Sequence, residues 1–402
     1  MNSAAPSAVP TRTRVDACPG ALQMHPAADG GLARVRVPGG SLRAAQLEAL
    51  AAAARELGNG LLELTSRGNV QLRGLPVGAE AELGDRLAAA GLLPSTTHER
   101  IRNVLASGLS GRTAGGSVDV RPWAAALDAG LCADPSLADL PGRYLATLDD
   151  GRGDVAGLGG DVGLLALSPT SVALLLAGAD SGLRTRPEDA VTLALAATRA
   201  FLAERDAQGT GAWRLAELTD GPARVTARLL DRRNGHVCDP GVVQVPAPPV
   251  NGPVGALPQL DGRTALAALV PLGVLSAAQA ELLAGLAAEV EVTPWRTVVV
   301  PDLAEDAVDD AAVDLHRSGM VFDEASPWLQ VSACAGRPGC ARSLADVRVD
   351  ATAAVIGGTL PAGGARQHWV GCERRCGRPQ GHAVDVVATP TGYRIGNSRV
   401  ED

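Results

Sequence analysis

Hydrophobic and polar positions repeat in the same order in two distant parts of the chain. The segment VPGGSLRAAQLEALAAAARE, which begins at Val37, matches VPLGVLSAAQAELLAGLAAE, which begins at Val270, without a gap. In each segment, apolar residues with helical spacing follow a short extended stretch. Each therefore predicts a strand and then a helix, opened by Ser41 in the first copy and by Ser276 in the second. The pattern indicates an internal duplication.

Both copies continue in parallel. After a five-residue deletion, ELTSRGNVQLRGL from Glu63 aligns with EVTPWRTVVVPDL from Glu291, and both have the alternation of a half-buried strand. Further on, NVLASGLSGRTAGGSVDVR from Asn103 aligns without a gap with QVSACAGRPGCARSLADVR from Gln330. The chain therefore predicts a pseudo-two-fold A–B–A′–B′ organisation. Its parts are an N-terminal segment (1–29), half-domain A (30–93), domain B (98–245), a Pro-rich linker (Pro240 to Pro253), half-domain A′ (254–305) and domain B′ (325–402).

The remaining apolar pattern and the composition point to a globular interior. The longest apolar stretch, Val162 to Ala179, is interrupted by Ser168-Pro169-Thr170-Ser171 and predicts two buried strands, not a membrane span. Hydrophobic residues make up 46% of the 402 residues but aromatic ones only 2%, so the core must consist of Ala, Leu and Val. The first 20 residues contain no apolar signal region, and seven cysteines without one predict a reducing, cytoplasmic compartment.

Charge narrows the range of partners. The formal net charge is −8 and no long basic run occurs, which predicts no nucleic-acid partner. The chain has no lysine, so all 36 basic residues are arginines. This excludes a lysine Schiff base. Arginine recognises carboxylates in bidentate fashion better than lysine does, although a G- and C-rich genome would produce the same bias.

Four cysteines near the C-terminus are the candidate metal ligands. Cys334-x5-Cys340 and Cys372-x3-Cys376 form two close pairs separated by 31 residues. Structural zinc usually takes tight C-x2-C pairs, whereas iron–sulfur clusters accept looser spacing, so an iron–sulfur cluster is favoured and zinc remains the alternative. Nearby guanidiniums would stabilise an anionic cluster. They belong to Arg337, Arg342, Arg374, Arg375 and Arg378.

The alignment of the two halves identifies positions that have diverged. Ser107 and Thr113 occupy the places of Cys334 and Cys340, so one half carries thiols and the other does not. Arg67 is matched by the apolar Trp295. Such positions are the natural candidates for chemistry in a duplicated protein. Cys18 is interpreted as part of a Cys-Pro-Gly turn, and Cys132 and Cys238 as ordinary thiols.

These features together resemble the sulfite and nitrite reductase superfamily. The resemblance implies an α/β (α+β) fold in which ferredoxin-like half-domains alternate with α/β domains, and a 4Fe–4S cluster bound by C-x5-C and C-x3-C in the last domain. It also implies substrate-binding arginines at Thr65-Ser66-Arg67 and at Arg102-Asn103-Val104. In the siroheme members, one C-x3-C thiolate bridges the cluster and the heme iron, which by position would be Cys376.

Within the superfamily, the chain looks most like the precorrin-3B synthase branch. The opening CPGALQMHPAADGGLARVRVPGG, from Cys18, is similar to that branch, and the chain is short for an assimilatory reductase. The sulfite reducers carry Lys-x-Lys after Leu-Pro, whereas this chain has Arg143 and Leu145 at those positions. A precorrin has a rim of carboxylates, which several fixed guanidiniums would recognise. The candidates are Arg67, Arg73, Arg102, Arg112 and Arg143.

The implied function is monooxygenation of a tetrapyrrole, precorrin-3A to precorrin-3B, with O2 and an electron donor such as a ferredoxin or an NADH-linked reductase. The branch also implies a non-heme iron, and four histidines lie near the relevant segments: His25, His98, His368 and His382. One alternative is a siroheme-dependent sulfite or nitrite reductase. The other is a non-catalytic iron–sulfur or zinc protein.

Overall fold

The chain folds into two compact units. A computed structural model describes residues 16–231, 237–238, 242–379 and 381–396, without the side chains of residues 231, 237 and 238. Of these, unit 1 contains 16–18, 100–111 and the described part of 115–248, and unit 2 contains the rest. Most of the predicted N-terminal segment, part of the Pro-rich linker and the side chain of Cys238 lie outside the described residues. The four domain boundaries stay a prediction.

Along the chain, the first repeat of unit 2 lies between residues 16–18 and the main part of unit 1. This repeat contains β1 (His25–Ala27), β2 (Gly30–Val35), β3 (Ser41–Arg43), α1 (Ala44–Leu57), β4 (Leu61–Leu64), β5 (Val70–Leu75) and α2 (Glu80–Ala89). Unit 1 contains β6 (Val104–Ala106), α3 (Arg121–Ala133), β7 (Ala146–Asp149), β8 (Val162–Ser168), β9 (Ser171–Leu176), β10 (Ala179–Thr185), α4 (Ala190–Ala207), α5 (Gly221–Asp231) and β11 (Val237–Cys238).

The second half of unit 2 follows the same order as the first and then adds a further sheet. Its repeat contains β12 (Gly255–Pro258), β13 (Thr264–Leu269), β14 (Val274–Ser276), α6 (Ala277–Leu286), β15 (Glu289–Val292), β16 (Thr297–Leu303) and α7 (Val308–Arg317). The last part contains β17 (Val331–Ala333), α8 (Val347–Ile356), β18 (Gln367–Val370), β19 (Val384–Thr389) and β20 (Gly392–Gly396).

The two repeats of unit 2 exchange edge strands. The first sheet has the order β1-β2-β5-β4-β14, and the second has the order β12-β13-β16-β15-β3. Each repeat thus completes the sheet of the other with one short antiparallel strand: Leu275 pairs with Leu62, and Leu42 pairs with Val290. A single core of Ala, Leu and Val side chains runs through both repeats. The predicted duplication is confirmed, and the exchange makes the two copies one unit.

The exchange corrects one helix boundary. Ser276 caps α6 as predicted, with its hydroxyl accepting from the Gln279 N–H. Ser41, however, does not open α1, because it lies exposed in β3 and pairs with Glu291 of β15. The helix begins three residues later, at Ala44, and the residue that matches Ser276 is Arg43. Ser41 is therefore a strand residue and not a helix cap.

Unit 1 is built around one mixed sheet. Its order is β11-β10-β9-β8-β7-β6, in which β6, β7 and β8 are parallel and the remaining neighbours antiparallel. The long apolar stretch forms β8 and β9, as predicted. Helices α3 and α4 share a core with this sheet, in which the buried Tyr144 stacks on Phe201 of α4. In the described part of the chain, no helix is long and apolar enough to cross a membrane.

The last sheet of unit 2 repeats the start of the unit 1 sheet. Strands β17, β18 and β19 are parallel and β20 is antiparallel, which is the topology of β6 to β9. The predicted alignment places residues 104–106 on 331–333, and these are β6 and β17. The next residues correspond too, since Ser107 donates its backbone N–H to Leu148 O and Cys334 donates to Trp369 O.

Candidate metal centre

The four cysteines follow two neighbouring parallel strands. Cys334 comes directly after β17, and Cys372 and Cys376 lie in the loop that follows β18. The carboxyl ends of parallel strands meet at one edge of a sheet, where loops from different strands converge. Cys340 lies in the loop that leaves β17, so both cysteine pairs project from the same edge. None of the described cysteines forms a disulfide.

Close backbone packing fixes the two loops against each other. Gly371 donates its N–H to Cys334 Sγ at 3.3 Å, and the Leu344 N–H donates to Gly371 O at 2.9 Å. A Cβ at Gly371 would lie 1.8 Å from Ser343 Oγ, so only glycine fits there. Ser343 is itself 2% exposed, and its N–H donates to Cys340 O. Apart from the bond to Cys334 Sγ, the contacts that order the two loops are made by backbone atoms and not by thiol groups.

The thiols are close enough to affect one another electrostatically. Burial raises the pKa of the Cys376 thiol, and the neighbouring Cys334, Cys372 and Cys340 raise it further. Arg374 acts in the opposite direction. A bound cation, or a cluster containing cations, would favour the ionised form of the Cys376 thiol.

Positive charge is distributed around this edge. Arg73 donates to Gly339 O at 2.6 Å, and its charge interacts with Cys340. Arg375 and Arg378 both form ion pairs with the buried Asp385, at 3.1 and 3.0 Å. Asp385 therefore offsets part of the charge of the C-x3-C loop and holds that loop to β19.

A buried histidine holds the second cysteine loop from behind. His368 is 0% exposed, with Nε2 3.1 Å from Cys376 O and Nδ1 2.9 Å from Ser332 Oγ. A carbonyl only accepts, so Nε2 carries the proton and Nδ1 accepts from the serine hydroxyl. Burial and the charge of Arg296 lower the pKa of His368 to about 4, so the ring is neutral at ordinary pH. His368 positions the loop and is not directed at the thiols.

A polynuclear cluster and a single ion need different spacing between the cysteine sulfurs. Among the described residues, no three His, Cys, Asp or Glu side chains are close enough to share one ion. Tetrahedral zinc would need its sulfurs about 2.3 Å from one point. In a 4Fe–4S cluster each thiolate binds a different iron, so the sulfurs stay further apart. The residues that would hold such a cluster are Cys334, Cys340, Cys372 and Cys376.

The matching edge in unit 1 has hydroxyl and carboxylate side chains where the unit 2 edge has thiols. Ser107 stands in the place of Cys334, and its hydroxyl accepts from the Asp150 N–H at 3.2 Å, as Cys334 Sγ accepts from Gly371. It donates to Asp154 at 2.5 Å. The loop after β7 is closed by Asp149, whose carboxylate accepts four backbone N–H groups between residues 151 and 156. This loop is satisfied internally.

The predicted substrate arginines are divided between the two units. Arg67 lies half-buried in the turn between β4 and β5, and its N–H donates to Thr65 Oγ1. Arg112 is 5% exposed and lies among three carboxylates of unit 2, with Glu291 at 2.6 Å and with Glu289 and Asp302 at 3.4 Å. For Arg112 the substrate role stays a prediction, and the contacts give it a structural one.

The remaining candidates belong to unit 1. Arg102 is 3% exposed and forms a bidentate pair with Asp128, at 2.6 and 2.7 Å. Asn103 is buried and donates to Gly142 O at 3.0 Å, which fixes the backbone beside Arg143. Arg143 is exposed, with its guanidinium 5.9 Å from the ring centre of Trp213. Of these three, Arg143 presents its charge to the surface of the unit.

Several residues that shape the metal centre carry no sequence motif. They are Gly371, Ser343, His368 and Asp385. Arg73, a predicted substrate residue, donates to Gly339 O of the first cysteine loop and pairs with Asp29. The one available signal is proximity in sequence, because Gly371 precedes Cys372 and His368 lies in the strand before it. Cys18 donates its N–H to Asp16 Oδ1, and the Cys-Pro-Gly turn that would begin at Cys18 stays a prediction.

Comparison with known proteins agrees with this architecture. Residues 25–90 and 257–317 each match the nitrite/sulfite reductase ferredoxin-like half domain. They are the two repeats that exchange strands in unit 2. Mycobacterium tuberculosis NirA has the same fold, with a TM-score of 0.72, 22% sequence identity, and coverage of 91% of this chain and 74% of that one.

Curated proteins similar to this chain are oxidoreductases. A protein named precorrin-3B synthase from Sinorhizobium sp. is 25% identical over 95% of this chain and 82% of its own length. A protein named sulfite reductase [ferredoxin] 2 from Mycolicibacterium paratuberculosis is 27% identical over 79% of this chain and 61% of its own length. The chain resembles precorrin-3B synthase along nearly its whole length.

Proposed function

We propose that the protein is a monooxygenase that converts precorrin-3A to precorrin-3B, with ring hydroxylation and lactone formation. The observation that carries the proposal is the gathering of four thiols at one sheet edge, in a chain whose near-full-length relative is named precorrin-3B synthase. One oxygen atom of O2 enters the ring and the other leaves as water, which consumes two electrons and two protons.

A 4Fe–4S cluster held by the four thiolates would supply single electrons when bound. The chain provides its surroundings: the Gly371 N–H donates to Cys334 Sγ, Arg73 lies beside Cys340, and His368 fixes the Cys376 carbonyl. Hydrogen bonds to cluster sulfurs and nearby charge are the levers that set reduction potential. The electron donor is proposed to be a ferredoxin or an NADH-linked reductase. A non-heme iron has no ligand set among the described residues.

Recognition of a carboxylate-rich ring is proposed for Arg67 and Arg143. A guanidinium binds a carboxylate through two parallel N–H donors, which also fixes orientation. Arg102 and Arg112 are already engaged by Asp128 and by three carboxylates, respectively. We propose that Arg102 and Arg112 have a structural role, and that they could bind substrate only if its carboxylates displaced these partners. Asn103 would position Arg143 through the Gly142 carbonyl.

A siroheme-dependent sulfite or nitrite reductase is the second candidate, favoured by the match to a sulfite reductase over 79% of the chain. One observation opposes it. Leu145, at the position of one lysine of the sulfite reducers, is 3% exposed, and its N–H donates to Asp161. This position is therefore occupied by a buried apolar side chain, so the chain lacks one of the two cations that bind the anion in the sulfite reducers.

The test is product mass. The full chain, purified without oxygen and with its cluster reconstituted, is incubated with precorrin-3A, a reductant and O2. The proposal predicts a product heavier by one oxygen atom and no product without O2. Sulfite or nitrite consumption by protein that carries a tightly bound siroheme, with no oxygenated product, would establish the second candidate instead.

A further inference from the structure

Two turns of half-domain A′ have bulky residues where half-domain A has glycine. Gly39 and Gly68 of A have positive φ angles of 73° and 62°, and their counterparts Leu272 and Arg296 have φ angles of 54° and 63°. The backbone is thus the same in both copies, including the Gly68 and Arg296 N–H bonds to Thr65 O and Thr293 O. Left-handed backbone is unfavourable for residues with a Cβ, so A′ keeps two strained side chains that A avoids.

Both strained residues line the same pocket. It has a volume of about 40 Å³, which is room for a few water molecules or for one carboxylate or similar oxyanion. A second guanidinium, from Arg366, also lines it. The third position of this kind, Asp302 opposite Gly74, differs, because Asp302 is paired with Arg112. Strain at two residues that converge on one pocket indicates a function for that pocket.

Arg296 brings a positive charge to the pocket, and the charge of Glu63 offsets it only in part. Among the described residues, it forms no ion pair, and its guanidinium donates only to Gly377 O at 3.4 Å. Burial, followed by the charges of Arg348 and Arg366, lowers the pKa of Arg296 to about 10, and burial and Arg378 lower that of Arg366. Both remain protonated at neutral pH. By contrast, Arg348 is neutralised by Glu63 at 2.6 Å.

An apolar groove adjoins the cationic pocket. Leu272 and Trp328 line both, and the groove has a volume of about 800 Å³. Its floor is α8, where Val349 and Ile356 are 61% and 78% exposed. Adjacent apolar side chains exposed to this extent are typical of a binding surface. A ligand that covers them and also ends in the pocket must have an apolar body and an anionic group.

We propose that this pocket and groove bind an organic anion. Its carboxylate, or an equivalent oxyanion, lies between Arg296 and Arg366, and its apolar body covers α8. Neither the four cysteines nor the arginines proposed for the tetrapyrrole belong to this site, so it does not depend on the oxygenase proposal. Half-domain A, with Gly39 and Gly68 at the matching positions, has no equivalent side chains.

The test replaces Arg296 by the residue that half-domain A uses. Arg296→Gly removes the charge and also relieves the left-handed strain, so the melting temperature should stay the same or rise. The probe is 1-anilinonaphthalene-8-sulfonate, which has an apolar body and one sulfonate, titrated by fluorescence into the full chain with its cluster. Its affinity should fall at least tenfold in R296G. Arg317→Gln, at an exposed arginine of α7, is the control and should not change it.

Two further variants separate the parts of the site. Arg296→Lys keeps the charge and should recover much of the affinity that R296G loses. Ile356→Asp, at an exposed position, should weaken the probe but leave its competition by sulfate intact. Unchanged probe affinity in R296G would overturn the proposal. So would a lower melting temperature or loss of the cluster absorption in R296G, because Arg296 would then be a structural residue. An unaffected I356D would remove the groove from the site.

Discussion

The edge of β6 and β7 in unit 1 and the edge of β17 and β18 in unit 2 have the same backbone but different chemistry. In both, a backbone N–H from the second loop donates to the side chain that follows the first strand: to Ser107 in unit 1 and to Cys334 in unit 2. In unit 1 the second loop closes on Asp149, whereas unit 2 has Val370 at that position. The unit 2 loop is instead held by Asp385, through Arg375 and Arg378, and by His368.

The two edges differ in what holds them together. The unit 1 edge is closed by its own hydrogen bonds. At the unit 2 edge, burial and the other three cysteines disfavour ionisation of the Cys376 thiol, so we expect a bound cation or cluster to stabilise its thiolate. Variants that transfer residues or properties between the two edges therefore test this difference directly.

The largest expected effect comes from copying unit 1 into unit 2. Cys334→Ser introduces the residue that Ser107 provides in the other half, and a hydroxyl is a poor ligand for iron. Iron content and visible absorption should fall to background, and oxygenation should be lost, while the circular dichroism spectrum is kept. Cys132→Ser, which changes a half-buried thiol on α3, is the control and should retain full iron content. Retention of the cluster in C334S would contradict the assignment.

The contribution of the unit 1 edge to stability should depend on pH through the carboxyl group of Asp154, which has no counterpart at the unit 2 edge. Burial, then Asp149 and Asp150, raises the pKa of Asp154 to about 7 from an ordinary 3.8. The folded state thus holds this proton more tightly than the unfolded state, so stability declines as pH rises from about 4 to about 7. At about 1.4 kcal/mol for each pKa unit, the upper bound is roughly 4 kcal/mol.

Asp154→Asn tests this directly. The asparagine keeps the shape and cannot titrate, so wild type should lose free energy of unfolding relative to D154N between pH 5 and 7. Urea unfolding of both proteins at several pH values measures the difference. A constant difference across that range would show that Asp154 titrates normally.

A smaller effect is expected from overpacking the close contact between the two cysteine loops. Gly371→Ala places a methyl group 1.8 Å from Ser343 Oγ and should cost about 2 kcal/mol of unfolding free energy, with faster release of iron. Gly364→Ala, where nothing lies within 4 Å of the new Cβ, is the matched control and should be neutral. Equal stability of the two variants would mean that Ser343 can move away and that the loops pack less closely than the contact at Gly371 indicates.

The smallest effect is expected for Arg67, in the turn between β4 and β5. Arg67→Ala should lower kcat/KM for precorrin-3A about tenfold, which corresponds to one charge-assisted contact of about 1.4 kcal/mol, and leave the cluster spectrum intact. Arg55→Ala, which removes an exposed arginine paired with Glu281, serves as the control. A changed cluster spectrum in R67A would assign Arg67 a structural role.

Local patterns predict much of this fold, and long-range pairing limits the rest. The repeat, the buried strands β8 and β9, and the correspondence of Ser107 with Cys334 follow from sequence alone, because they rest on apolar spacing and alignment. Ser41 is predicted to cap a helix because serine is a common cap, and only the pairing of β3 with β15 makes it a strand residue. Exchange of strands between repeats has no local signature.

The candidate site, too, has a part that the sequence identifies and a part that only the structure reveals. The cysteines are identifiable from spacing, but their support is not. His368 and Asp385 act through contacts with a carbonyl and with two arginines, and such contacts depend on the packing of β18 and β19. Motif position predicts that Arg102 and Arg112 bind substrate, whereas the carboxylates that engage them are distant in sequence.

We propose that one of the two matching edges, the one in unit 2, holds an iron–sulfur cluster. The most direct test of this claim is the iron and acid-labile sulfide content of the full chain purified without oxygen. Four irons and four sulfides per chain are expected, which is one 4Fe–4S cluster and not two. One zinc per chain, or no metal after reconstitution with iron and sulfide, would contradict the claim.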